Sequence, residues 1–124
     1  MQTLIIKQTN ETPDIELNAP NGTFSFIGKS FPENVNDFYG ETLKYLELYI
    51  QQPQEKTILE FYWLYFNTAT SKIIVKIIML LKSVTKQGKA FEINWKCSKD
   101  DDLMIEKGEE FKELLGAGFS INYI

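Results

Sequence analysis

The chain has 124 residues, 44% of them apolar, and a formal charge of −4 with an isoelectric point near 4.9. That length suits one domain around one core, and the acidic balance argues against nucleic acid or an anionic membrane as the main partner. There is no His and no Arg, so all 13 basic residues are Lys. This excludes Ser-His-Asp and Cys-His catalysis, His-containing metal sites and the bidentate guanidinium fork.

Leu4-Ile5-Ile6 reads as a first strand. Asp14 to Leu17 and Thr23 to Ile27 read as a hairpin around Pro20-Asn21-Gly22, where Asn-Gly is a strong turn signal. Pro32-Glu33-Asn34 starts a helix in which Val35, Phe38, Tyr39, Thr42, Leu46, Tyr49 and Ile50 form one stripe at i, i+3, i+4 spacing. Pro53 stops it. Ile58 to Phe66 is the most apolar strand, interrupted only by Glu60. A strand that does not alternate is usually buried on both faces, so it is placed centrally in the sheet.

Ser71 to Lys86 reads as a second helix closed by Gly88. Phe91, Ile93, Trp95 and Cys97 alternate with Glu92, Asn94, Lys96 and Ser98, a strand with one wet face. Asp101 to Leu115 is a third helix, ended by Gly116, and Phe119 to Tyr123 is a last strand. The predicted order is β-β-β-α-β-α-β-α-β: a single α/β domain over residues 1–124 with a mixed sheet and helices. Cys97, the lone cysteine, excludes an internal disulfide and sits on an apolar strand face as an inert thiol. Trp63, Trp95 and most tyrosines fall at inward positions and read as core. No apolar run reaches the roughly 18 residues of a membrane span, and Met1-Gln2-Thr3 opens without a basic-then-apolar leader. A soluble, cytoplasmic domain is expected.

Three motifs invite a chemical reading. Gly28-Lys29-Ser30 looks like the end of a P-loop, but Gly22 lies one residue too far back and Phe31-Pro32 follows where a helix should begin. A turn ahead of a helix is the better reading. Ser71-Lys72 are adjacent on a helix and do not face each other, which is unsuited to proton transfer. Asp100, Asp101, Asp102 and Glu106 match no calcium loop, and acidic residues are favoured at a helix start by its dipole. A contact surface for a partner's Lys or Arg is the other use of that cluster. No metal and no cofactor is expected, and no convergent acid–base set supports an enzyme.

The most informative segment is Phe66-Asn67-Thr68-Ala69-Thr70-Ser71-Lys72, which sets three hydroxyl residues where a helix begins. Free backbone N–H groups and the positive dipole end welcome a negative group there. Two readings stand: Thr68 or Asn67 caps the helix, or a hydroxyl is a phosphorylation switch.

Several stretches together resemble a known family. They are Thr12-Pro13-Asp14-Ile15, then Gly28 to Asn34 (Gly-Lys-Ser-Phe-Pro-Glu-Asn) with Phe38-Tyr39. Tyr65 to Lys72 follows with Trp95, and then Asp100 to Phe111. The chain resembles the SiaC family of bacterial regulatory phosphoproteins, whose fold is STAS-like and similar to anti-sigma-factor antagonists. The resemblance implies a threonine in the Asn-Thr element, here Thr68, phosphorylated by a dedicated kinase. It also implies a PP2C-type phosphatase that removes the phosphate, and an unmodified form that binds and activates a diguanylate cyclase in c-di-GMP signalling and biofilm control. The family often reads Asn-Thr-Ser-Ser-Ser-Lys; here Ala69 and Thr70 replace the first two serines. Thr70 and Ser71 are the lesser acceptor candidates.

At ~100° per residue, Ile73, Ile74, Ile77, Leu81 and Val84 share the core side of the second helix. Val75 and Met79 fall on the wet side, on one line with Thr68 and Lys72. Asn67, Lys72, Val75 and Met79 are the expected partner surface, with Val75 and Met79 alternatively packing under a neighbouring helix. Two other functions remain: an anti-sigma-factor antagonist in a partner-switching module, and a small-molecule binding domain.

Overall fold

The computed structural model describes residues 1–116 and 118–124. Its elements follow the expected order: β1 (Leu4–Ile6), β2 (Asp14–Asn18), β3 (Thr23–Ser30), α1 (Val35–Tyr49), β4 (Lys56–Phe66), α2 (Thr68–Lys82), β5 (Ala90–Cys97), α3 (Asp102–Leu115) and β6 (Phe119–Tyr123). The six strands lie side by side in sequence order, antiparallel for β1-β2-β3 and parallel from β3 to β6. The β2–β3 turn depends on Gly22, at φ +71°, whose N–H donates to Ala19 O at 3.1 Å. A Cβ there would stand 2.6 Å from Lys56 O, so no other residue fits.

Each parallel crossover steps one strand in the same direction, and crossovers are right-handed, so all three helices fall on one face of the sheet. Burial agrees. Phe24, Phe26, Leu59, Phe61, Trp63, Ile93 and Trp95 point under the helices and are essentially inaccessible. This corrects the expectation for β4. The strand is central, but only one of its faces is covered: Ile58, Glu60 and Tyr62 are half-buried and Leu64 is exposed. Ion pairs Lys56–Glu92 (2.6 Å) and Lys96–Glu60 (3.2 Å) lie across the open face. Glu92 and Lys96 of these pairs stand in register with Ile58 and Tyr62.

Two local boundaries also differ. Gly28-Lys29-Ser30 is the end of β3 and not a turn; Gly28 takes φ +126° at a bulge, where Lys29 pairs with Tyr65 and Leu64 is left over. α2 begins at Thr68, three residues ahead of the predicted Ser71, because Asn67 caps it. At its far end, Ser83 and Thr85 hydroxyls donate to the carbonyls of Leu80 and Lys82. Those bonds tighten residues Ser83–Gln87 into a 3-10 turn, which Gly88 closes at φ +76°.

α3 approaches the sheet through Gly108, where an added Cβ would lie 2.6 Å from the Trp95 ring. Trp95 Nε1 donates to Met104 O on the same helix at 3.0 Å. Gly108→Ala therefore gains helix propensity of about 1 kcal/mol but overpacks a rigid indole at a cost of about 1–3 kcal/mol. A net loss of stability is expected, read as a lower urea midpoint with an unchanged slope; a gain would mean that α3 is free to shift outward.

Candidate functional site

The site is built around the junction of β4 and α2. Asn67 has extended φ/ψ, and its Oδ1 accepts from Thr70 N at 2.8 Å, the side-chain cap of α2. Asn67 N in turn donates to Ser30 O at 3.1 Å, which ties the cap to the end of β3.

The three hydroxyls sort into different environments. Thr70 is fully buried; its Oγ1 donates to Ser30 O (3.1 Å) and lies 2.9 Å from Ser30 Oγ. Ser71 is half-buried and donates to Thr68 O at 2.6 Å. Thr68 is exposed, and among the described residues no intrachain hydrogen bond holds its hydroxyl. The capping role therefore belongs to Asn67, and Thr70 in this conformation offers no accessible oxygen.

The buried bonds have one possible direction. Thr70 has a single hydroxyl proton and gives it to a carbonyl, so Ser30 must donate to Thr70. Tyr39, whose Oη lies 2.6 Å from Ser30 Oγ, must then donate to Ser30. The chain runs Tyr39 to Ser30 to Thr70 to Ser30 O, joining α1, β3 and α2. It requires a protonated phenol. Burial, which disfavours the phenolate, pushes the Tyr39 pKa up to about 12.

Ser30 and Tyr39 were not expected as part of the site. A signal existed: Phe24, Phe26, Gly28 and Ser30 alternate inward along β3, and Ser30 pairs with Phe66 next to the cap.

Along α2, Thr68 and Lys72 are exposed and Met79 is 61% exposed, on the line the helical period predicts. Val75 takes the alternative of the two readings: it is half-buried and packs against the core cluster. Ile78, absent from the predicted core side, is fully buried. Met79 stands over an open groove of about 490 Å³ between α1 and α2, walled by Leu43, Glu47 and Ile50 on one side and by Lys76 and Leu80 on the other. Eleven residues at ~1.5 Å each put Met79 ~16 Å from Thr68. Charge at Thr68 thus acts directly on Lys72, one turn away, and is largely screened at Met79, beyond a Debye length of about 8 Å.

A second apolar patch flanks Thr68 at the carboxyl end of the sheet. Phe31 and Tyr65 are 37% and 45% exposed and meet edge-to-face at 5.8 Å, beside exposed Leu64. In the acidic cluster, Asp101 caps α3, its side chain accepting from Met104 N at 3.1 Å, and Asp102 lies in the first turn. Burial, with the Asp101 carboxylate second, pushes the Cys97 thiol up, which disfavours the reactive thiolate.

The model of the SiaC family regulatory phosphoprotein matches residues 6–124. The chain belongs to the SiaC family. It is 29% identical to an uncharacterised protein of Pseudomonas aeruginosa over 121 residues, covering 98% of this chain and 96% of that one. Its fold matches apo-SiaC of Pseudomonas aeruginosa with a TM-score of 0.88 at 30% identity, covering 98% of this chain and 99% of that one. It also matches SiaC in complex with the diguanylate cyclase SiaD, which SiaC activates, with a TM-score of 0.90 at 28% identity and the same coverage. Among the described residues, no helix is long and apolar enough to cross a membrane.

The hydroxyl chain makes two expectations for this family member. Thr70→Val strands the buried Ser30 hydroxyl and should cost about 2–3 kcal/mol, more than the roughly 1 kcal/mol of Asn67→Ala; urea unfolding checks the ranking. Tyr39 has a folded pKa above its unfolded value near 10, so the stability it supports is intact below pH 10. That stability is lost as pH rises through 12, by at most about 2–3 kcal/mol. Tyr39→Phe should lack this component, and unfolding of both proteins from pH 9 to 12 measures it.

Proposed function

We propose that the chain is a non-catalytic cytoplasmic signalling phosphoprotein whose partner is a diguanylate cyclase, with Thr68 as the phosphoacceptor. A cognate kinase adds the phosphate and a PP2C-type phosphatase removes it. Asn67 and Lys72 shape the acceptor's surroundings, and Lys72 and Met79 belong to the partner surface, with Val75 as its half-buried floor. The observation that carries this reading is the sorting of the hydroxyls: the Thr70 oxygen is sealed in the core, while the Thr68 hydroxyl is exposed at the first helical residue and, among the described residues, has no intrachain hydrogen bond.

A phosphate on Thr68 adds about −1.5 to −2 charges at a helix start. The Asn67 cap already occupies Thr70 N, and Asn67 O accepts from Ser71 N, so the N–H groups of Thr68 and Ala69 face the new group along with Lys72. The dipole favours it and the buried chain beneath is untouched, so the fold is kept. A partner that covers the start of α2 must strip water from that phosphate, and binding weakens. The modification acts on the interface without refolding the domain.

The test pairs the chain with the diguanylate cyclase of its own cell. Thr68→Ala should bind and activate the cyclase like the unmodified protein. Thr68→Glu should weaken binding by about tenfold, the desolvation of one added charge, with an unfolding midpoint no lower than wild type. Equal binding by the two variants sinks the reading. Phosphopeptide mapping of protein from native cells should place the phosphate on Thr68; a phosphate found only on Ser71 reassigns the acceptor.

A further inference from the structure

From Phe61 to Phe91 the chain contains no Asp or Glu and five lysines, Lys72, Lys76, Lys82, Lys86 and Lys89, in a protein of net charge −4. Lys89 pairs with Glu55, and Lys82 donates to the Leu115 carbonyl on α3. Among the described residues, Lys72, Lys76 and Lys86 pair with no carboxylate. α2 therefore presents a basic edge on an acidic molecule. At ~100° per residue, Thr68, Lys72, Lys76, Met79 and Ser83 all lie within about 40° of the Lys72 direction. The phosphoacceptor line and the α2 wall of the groove are one continuous strip. The groove beside it is apolar at Leu43, Ile50, Met79 and Leu80, and its opposite wall carries a carboxylate, Glu47.

We infer that this groove is the seat of an amphipathic helix from the partner, with apolar side chains on Leu43, Ile50, Met79 and Leu80 and an Asp/Glu edge along Lys72 and Lys76. Charge fixes both chemistry and orientation. The partner's acidic edge lies on the α2 side, because on the α1 side it would meet Glu47. Apolar filling of a groove by one helix face is a recurrent recognition mode. This inference rests on the proposed switch at Thr68 and gives it a mechanism: the phosphate takes Lys72 for itself and repels the partner carboxylates that Lys72 had held.

Two synthetic amphipathic helices of about the length of α2 test it. They share their apolar face and carry either Glu or Lys along one edge, and fluorescence anisotropy measures their binding. The acidic peptide should bind the full chain and the basic one should not. Lys76→Glu should weaken the acidic peptide about three- to tenfold, the scale of a surface charge reversal. Met79→Ser should weaken it about tenfold through lost apolar burial, and Thr68→Glu should weaken it too. Both Lys76 and Met79 are exposed, so the variants keep the fold.

Equal binding of the two peptides, binding of neither, or indifference to both Lys76→Glu and Met79→Ser overturns the inference. If it is overturned while Thr68→Glu still releases the cyclase, the switch stands and its interface lies elsewhere, the Phe31–Tyr65 patch being the alternative. If the peptide pattern holds while Thr68→Glu leaves the cyclase bound, the groove stands and the switch reading fails.

Discussion

The directed chain of hydroxyls from Tyr39 through Ser30 and Thr70 to the Ser30 carbonyl is the constraint on which the site depends. It consists of neutral groups, all satisfied, so it avoids the desolvation cost of a buried ion pair. It fixes three elements at one point: α1 by Tyr39, the end of β3 by Ser30, and the first turn of α2 by Thr70. With the inner hydroxyls committed, Thr68 is left as the outward member of a rigid turn. The departure from the family pattern reads clearly in this light. Ala69 is exposed, so no buried contact is lost with its serine. Thr70 keeps the hydroxyl that the chain requires, and its extra methyl lies in the core.

The one-sided topology decides which surfaces are left for partners. Because every crossover steps the same way, α2 lies between α1 and α3 over the central strand, and the groove it shares with α1 opens outward. The other face of the sheet is the less apolar of the two, with Lys56–Glu92 and Lys96–Glu60 spread over it. Charges thus cover part of the uncovered sheet face, which also exposes Ile5, Ile27 and Leu64, while the helix layer exposes Met79, Leu48 and Leu114.

Much of this was legible in the sequence because periodicity reports burial. The α1 stripe from Val35 to Ile50, the alternation of Phe91 to Cys97 and the Asn-Gly turn all mark local geometry and appear as predicted. β4 misled for a physical reason: Ile58, Tyr62 and Leu64 mimic a strand buried on both faces, but the order of crossovers, which no strand pattern encodes, leaves one face open. The start of α2 was set three residues late because Thr68, Ala69 and Thr70 lack an apolar period; of the two cap candidates, Asn67 and Thr68, the bond from Thr70 N decides for Asn67. The Ser30–Thr70 contact, 40 residues apart in sequence, depends on strand register and is not readable from either residue alone.

The sign of the proposed switch follows from where the charge is placed. The same phosphate at the start of α3, beside Asp100, Asp101 and Asp102, would deepen an acidic surface and favour a basic partner. At Thr68 it enters a stretch that has lysines and no carboxylates, where it opposes the charge a partner would read. Its direct reach is about one Debye length, enough to cover Lys72 and short of Met79. The apolar contacts in the groove are therefore not altered by the phosphate itself. What it changes is the electrostatic edge that orients the partner over them, and an interface that needs both parts can be released by removing one.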